Sequence, residues 1–224
     1  MSRPYIICHM IASIDGRIDC AMTENLSGVE EYYETLAALD TATTVSGRVT
    51  AQLELAEPGE FDSKAKEVLG KELFSKKIDA VGYSVVVDTK GTLLWTDRAD
   101  GDPLIILTSE QVSKEYLAYL DERHISWIAC GKERIDLAKA SQILAEEFGV
   151  KRMSIVGGGR INAGFLEAGI LDEISLLIGA GIDGRGGMAA VFDGLPMNRA
   201  LTPLKLENVI QYGDGGVWLR YKVM

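Results

Sequence analysis

Short runs of consecutive apolar, largely β-branched residues alternate with stretches of helical period along most of this chain, and no other feature narrows its fold as much. Tyr5–Ala12, Ser84–Val87, Leu104–Leu107, Ile125–Ala129, Met153–Val156 and Glu173–Ile178 each read as a strand. Several are apolar on successive rather than alternate residues, the mark of a strand covered on both faces. Glu30–Leu39 reads as a short helix and Thr43–Ser46 as a strand that delivers Gly47, while Ser63–Phe74 predicts a lysine-rich surface helix. Between Thr108 and Glu122, the residues Val112, Tyr116, Tyr119 and Leu120 recur at the spacing of one helix face. Asp136 can cap a helix whose buried stripe is Leu137, Ala140, Leu144 and Phe148, with Gly149 as its left-handed stop. Ile161–Ala168 is a further helix, opened by glycines. Leu204–Gln211 and Val217–Val223 flank Tyr212-Gly213-Asp214-Gly215-Gly216, which has the turn chemistry of a β-hairpin.

Strands that alternate with helices imply an α/β fold, with a mostly parallel sheet and helices on both of its faces. The closing antiparallel hairpin makes that sheet mixed. A chain of 224 residues without internal repeats is expected to form a single domain over residues 1–224.

Charge narrows the partners. The chain carries 33 acidic and 23 basic side chains, a net −10, and residues 1–60 hold ten acidic residues against Arg3, Arg17 and Arg48. A nucleic-acid binder needs clustered Lys and Arg to displace counterions from phosphates, and no such run exists, so no nucleic-acid partner is expected. Apolar runs such as Tyr5–Ile14 fall short of the ~20 residues that span a bilayer, and residues 1–14 do not read as a signal peptide. Cys8, Cys20 and Cys130 are odd in number, widely spaced and without a CxxC pattern, so neither a disulfide framework nor a metal site is expected. The expected location is cytoplasmic.

Three stretches carry possible chemistry. Val156-Gly157-Gly158-Gly159-Arg160-Ile161-Asn162-Ala163-Gly164 runs from a strand through glycines into a helix. Such a turn lets a ligand approach the backbone, and the helix N-terminus favours an anion; a tight turn with no ligand is the plain alternative. Gly47-Arg48-Val49-Thr50 can hold a phosphate by backbone N–H, charge and hydroxyl, or can simply be solvated. Ala12-Ser13-Ile14-Asp15-Gly16-Arg17 leaves the first strand through a good turn pair, with His9 inside that strand. Gly179-Ala180-Gly181-Ile182-Asp183-Gly184 spells GxGxxG, but Arg185-Gly186-Gly187 follows instead of a helix, so it reads as a glycine-rich loop. P-loop, zinc-protease, nucleophile-elbow and protein-kinase signatures are lacking.

Taken in order, these motifs resemble the reductase domain of riboflavin biosynthesis, the C-terminal half of the bifunctional deaminase-reductase, and more distantly dihydrofolate reductase. The resemblance rests on Pro4-Tyr5, Ala12–Arg17, Gly47–Thr50, Val87-Asp88-Thr89, and Val156–Asn162 continuing through Phe165–Glu173. It implies a three-layer dihydrofolate reductase-like fold, a homodimer, and NADPH-dependent reduction of a small pyrimidine or pterin-like heterocycle. It also implies that Gly157, Gly158, Gly159, Arg160, Ile161 and Asn162 cradle the cofactor pyrophosphate. Gly47, Arg48 and Thr50 would then face the cofactor phosphates, Thr89 the adenosine side, and the backbone of Ile11 and Ala12 the nicotinamide. His9 and Asp15, at or just beyond the first strand, are the candidate proton donors.

Three departures touch the substrate half of the pattern. The acidic residue expected before the glycine turn is Val156, the stretch Glu54–Phe61 replaces an Asp-Asp-Pro segment and its arginine, and Leu36–Asp40 lacks an arginine. They leave two alternatives: a diverged reductase for an unphosphorylated substrate, and a relative that binds a nucleotide without turning it over.

Overall fold

A computed structural model describes residues 2–64, 67–96 and 101–224. The described elements begin β1 (Tyr5–Ala12), α1 (Cys20–Thr23), α2 (Val29–Ala38), β2 (Thr43–Gly47), α3 (Arg48–Glu54), β3 (Leu73–Ser75), β4 (Ser84–Val87) and β5 (Leu104–Thr108). They continue α4 (Lys114–Glu122), β6 (Ser126–Ala129), α5 (Leu137–Glu146), β7 (Arg152–Gly157), α6 (Gly159–Glu167), β8 (Glu173–Ile178), β9 (Leu204–Gln211) and β10 (Val217–Val223). Two compact units divide the chain: Met1–Pro4 with Ala42–Lys151, and Tyr5–Thr41 with Arg152–Met224.

In the first unit the strand order is β3-β6-β5-β4-β2. Parallel pairing joins β2 to β4, β4 to β5 and β5 to β6, and β3 adds an antiparallel edge. The uninterrupted apolar runs fit this setting, since every residue of β5 and of β6 is buried. Helix α4 starts at Ser113, whose hydroxyl accepts the Tyr116 N–H, a cap worth about 1 kcal/mol. The helix lays Tyr116, Leu117 and Leu120 against Val86, Ile106 and Trp127. Asp136 caps α5 through the Lys139 N–H as expected, and Gly149 takes a positive φ of 69°.

The expected surface helix over Ser63–Phe74 does not form. Ala65 and Lys66 lie outside the described residues, Gly70 adopts a left-handed φ of 71°, and Leu73–Ser75 pairs with β6. The backbone in between bonds a neighbouring segment, Leu69 N–H to the Val112 carbonyl and Gly70 N–H to that of Glu110. A glycine in that conformation cannot continue a helix, and pairing with β6 outweighs the weak helical preference of a short polar stretch.

The second unit has the strand order β7-β1-β8-β10-β9. β1 lies between β7 and β8, parallel to both, while β10 runs antiparallel to β8 and to β9. On one face Ile7, Leu177 and Trp218 pack with Leu39, joined by Tyr32 and Leu36 of α2. Glu30 and Glu31 in the first turn of α2 oppose its positive N-terminal end. Mostly parallel pairing with a C-terminal antiparallel hairpin is the α/β arrangement expected from the sequence.

Candidate functional site

The chain leaves β1 through a turn closed by Ser13 N–H to the Arg17 carbonyl (3.0 Å) and Gly16 N–H to the Ser13 carbonyl (2.9 Å). Within it the Asp15 carboxylate accepts the Ser13 hydroxyl at 2.7 Å and the N–H groups of Asp183 and Gly184 at 3.0 Å each. These bonds, led by the Ser13 hydroxyl, hold the Asp15 pKa down at about 2. Asp15 is therefore ionised near neutral pH and pins the glycine-rich loop. Arg185, on that loop, pairs with both Asp19 and Asp183.

His9 is fully buried. Its Nε2 meets the Tyr32 carbonyl at 3.2 Å, its Nδ1 meets the Ser175 hydroxyl at 2.9 Å, and its ring stacks on Tyr32 at 4.7 Å. A carbonyl only accepts, so Nε2 carries the proton and Nδ1 accepts from Ser175, whose oxygen takes the Trp218 indole N–H at 2.8 Å. Burial lowers the His9 pKa to about 4. Near neutral pH His9 is thus neutral and enclosed, and Asp15 is ionised. Both earn their place as anchors of the surrounding backbone.

Ile11 and Ala12 pair with Leu177 and Ile178 of β8. Ala12 is buried and its carbonyl accepts the Gly179 N–H, whereas Ile11 packs against the cluster around Leu177.

At the end of β7 the glycines divide their roles. Gly158 has φ 94° and ψ 115°, a region open to glycine alone, and a Cβ built there would find only Ile161 Cγ1 at 3.7 Å. A Cβ at Gly159 would collide with the Ala190 carbonyl oxygen. Gly158 has open space where a side chain would stand, whereas Gly159 is closed off by protein. Helix α6 follows, with Arg160 exposed in its first turn and Ile161 half-buried. In that first turn the Ile161 and Asn162 N–H groups donate to the Gly158 carbonyl at 2.9 and 3.1 Å, so an anion at this helix start would meet the N–H groups of Gly159 and Arg160.

A segment that sequence reasoning passed over holds this turn. Residues 188–193 are gripped by Arg17 Nη1 on the Met188 carbonyl (2.8 Å), Ile18 N–H on that of Ala189 (3.1 Å), and Val191 N–H on the Gly16 carbonyl (3.2 Å). On the other side Asp193 N–H bonds the Gly159 carbonyl (3.1 Å) and Asn162 Nδ2 the Val191 carbonyl (2.6 Å). The Asp193 carboxylate caps the Ala190 N–H at 2.7 Å. Asn162, expected to touch a cofactor, is buried and instead ties down this strap. Its signal in the sequence is faint, the Asp193-Gly194 turn pair after two small alanines.

In the first unit, Gly47 is the extended N-cap of α3, so Arg48 and Thr50 stand in that helix's first turn. Arg48 is exposed, 3.8 Å from Glu60. Thr89 is held by its carbonyl, which accepts the Thr108 and Ser109 hydroxyls at 3.1 and 3.0 Å. The neighbouring Asp88 carboxylate is buried and accepts the Thr92 and Leu93 N–H groups at 2.6 and 2.9 Å. The GxGxxG stretch forms a loop, as expected. A Cβ at Gly179 would press on Leu26 and Ser27, and one at Gly181 on Leu26, so these glycines serve close packing. Among the described residues no His, Cys, Asp and Glu group is placed to hold a metal, and no helix is long and apolar enough to cross a membrane.

Comparison with known proteins gives consistent matches. The sequence model of the RibD C-terminal domain family matches residues 4–218. Two archaeal proteins named 2,5-diamino-6-ribosylamino-4(3H)-pyrimidinone 5′-phosphate reductase are 24% identical to the chain. That of Methanothermobacter thermautotrophicus aligns over 92% of this chain and 91% of its own, and that of Archaeoglobus fulgidus over 95% of each. The riboflavin biosynthesis protein RibD of Chlamydia muridarum is 31% identical over 84 residues, which is 22% of its length. Among solved structures, a pyrimidine reductase-like protein of Corynebacterium diphtheriae superposes with a TM-score of 0.70 at 19% identity, covering 99% of this chain and 92% of that one. The riboflavin biosynthesis reductase of Saccharomyces cerevisiae does so with 0.63 at 19% identity, covering 99% and 90%.

Proposed function

Since the chain belongs to the RibD C-terminal domain family, we propose that it is a reductase that uses NADPH to reduce a small pyrimidine-type heterocycle. The observation that carries this reading is the turn at Gly158, open on its ligand side and rigidly backed by residues 188–193. Its residues fit a dinucleotide pyrophosphate: a glycine in a conformation no other residue adopts, a helix N-terminus beyond it, and Arg160 in the first turn. Arg48 and Thr50 at the start of α3 are the proposed contacts of their own unit for the cofactor's phosphates, with Thr89 for its adenosine side.

When bound, the nicotinamide supplies the hydride. The chain's residues supply position and charge. Gly157 to Ile161 fix the phosphates, Asn162 and Asp193 keep that turn from shifting, and the backbone of Ile11 and Ala12 forms the proposed nicotinamide floor. Held geometry of this kind accounts for much of a barrier reduction. Because His9 keeps its proton on Nε2 against a carbonyl and Asp15 is ionised, the proton that completes the reduction comes from water.

The proposal includes association of two copies and a cytoplasmic location; no disulfide joins the described cysteines, which fits a reducing compartment. A second reading, reduction of an unphosphorylated heterocycle, is favoured by one observation. Residues 18–42, which include α1 and α2, carry six acidic side chains and no basic one, so a substrate site that drew on them would disfavour a phosphate dianion. The test is loss of reduced-nicotinamide absorbance over a panel of aminopyrimidines and pterins with and without a 5′-phosphate. Turnover of the phosphorylated pyrimidine alone supports the first reading, turnover of its dephosphorylated form the second. No turnover with intact NADPH binding leaves a nucleotide-binding relative.

A further inference from the structure

In the first unit Arg48 faces a carboxylate of its own chain. Gly47 pairs with Val87 across β2 and β4, so Arg48 and the Asp88–Thr89 pair follow the carboxyl ends of neighbouring parallel strands, where open sheets take their ligands. Among the described residues the ion-pair partner of Arg48 is Glu60, whose Oε1 stands 3.8 Å from its Nη1. The segment that carries Glu60 is fastened on both sides. Glu57 N–H bonds the Leu94 carbonyl at 2.9 Å, and Phe61 N–H that of Thr92 at 2.8 Å. Between them Gly59 turns at a left-handed φ of 107°, where an added Cβ would come within 3.3 Å of Leu94 Cδ1. The Phe61 ring packs on Tyr116 and Tyr119, with centroids 5.1 and 4.9 Å away. Gln52, four residues beyond Arg48 in α3, donates from Nε2 to the Glu57 carbonyl at 2.8 Å. Both members of the pair thus stand on one frame, although each side chain is exposed.

We propose that Glu60 sets how strongly this chain prefers a 2′-phosphorylated dinucleotide, by competing with the phosphate for Arg48; this rests on the reductase reading above and deepens it. A guanidinium that reads a phosphate must first give up the group that holds it. Here that group is a carboxylate, which also repels the incoming anion. Both effects weaken the phosphorylated dinucleotide, and neither acts on one that ends in a free 2′-hydroxyl. An exposed pair at this distance is worth a factor of up to about five, and salt screens it. Glu60 therefore trims the preference for NADPH without abolishing it, and does so from Glu54–Phe61, the segment that departs from the resembled pattern.

The test is fluorescence titration of the full chain with NADPH and with NADH. Glu60→Gln is expected to tighten NADPH about three- to fivefold, to leave NADH unmoved, and to lose most of that gain at high salt. Glu60→Asp keeps the charge and the wild-type ratio of the two affinities. Glu57→Gln, which removes a neighbouring charge from the same segment, also leaves the ratio alone. In the Arg48→Ala background the gain from Glu60→Gln falls below about twofold, which places the coupling at that pair. With NADPH bound by the wild type, an equal shift for both dinucleotides, no shift, or weaker NADPH binding by Glu60→Gln overturns the role of Glu60 alone. A wild type that binds neither dinucleotide overturns the reductase reading and that role with it.

Discussion

Substituting the two adjacent glycines at the end of β7 separates backing from binding. At Gly159 an added Cβ runs into the Ala190 carbonyl oxygen, and backbone oxygen cannot step aside as a flexible side chain can. Gly159→Ala therefore displaces residues 188–193 and puts at risk the Asp193–Gly159, Asn162–Val191 and Ala190–Asp193 hydrogen bonds. At about 0.5–1.5 kcal/mol each, their loss destabilises the protein by roughly 2–4 kcal/mol. At about 2–4 °C per kcal/mol for a chain of this size, the melting temperature falls by roughly 5–15 °C. Gly158→Ala meets no neighbour closer than 3.7 Å and costs only its left-handed conformation, about 1–3 kcal/mol. Gly158→Asp carries the same backbone strain but sets a carboxylate against the cofactor phosphates. At 4–5 Å that repulsion is roughly 1–4 kcal/mol, about fivefold or more in affinity. Thermal melts and fluorescence titration with NADPH measure both effects. The reasoning fails if Gly159→Ala melts with wild type, or if Gly158→Asp binds NADPH as well as Gly158→Ala does.

Arg48→Ala should bring the NADPH and NADH dissociation constants together, a loss of about tenfold in preference for a charge-assisted phosphate contact; an unchanged ratio places 2′-phosphate recognition elsewhere. His9 has its pKa lowered to about 4 from 6.5, so the unfolded chain binds more protons between those values and stability falls as pH drops through that window. The loss is about 3 kcal/mol, and urea melts of His9→Gln from pH 7 to 4 should show a flatter profile, while kcat against pH shows no inflection owing to His9. Asp15→Asn weakens the hold on the Asp183 and Gly184 N–H groups and should speed proteolysis after Arg185, with a larger change in substrate KM than in kcat; equal cleavage rates count against the anchoring role. Its ionised form is stabilised by the fold above pH 3.8 and loses that advantage only as pH falls toward 2.

Strand positions were legible because buried parallel strands need unbroken apolar runs. Tyr5–Ala12, Ser84–Val87 and Glu173–Ile178 fall where the pattern puts them. Residues 63–74 misled because a lysine-rich polar stretch satisfies helical spacing as readily as a loop zipped to its neighbour, and Gly70 alone marks the difference. The glycine turn was visible as a motif, but not the division of labour between Gly158 and Gly159, since that depends on Ala190, far away in sequence. His9 was legible as a strand histidine, and its enclosure was not, because Tyr32, Ser175 and Trp218 come from three other elements.

The way the chain divides has a consequence for its biogenesis. Residues Ala42–Lys151 of the first unit are continuous, so its contacts close soon after synthesis, whereas the second unit joins Tyr5–Thr41 to Arg152–Met224. Tyr5 must wait for Arg152, and Ile7 for Glu173. At about 5–20 residues per second a ribosome needs on the order of 10–30 s to deliver them. Through that interval β1, among the most apolar segments in the protein, has neither neighbour, and such an unpaired strand invites association with other chains. The slow, long-range step in folding belongs to a strand made well before its partners.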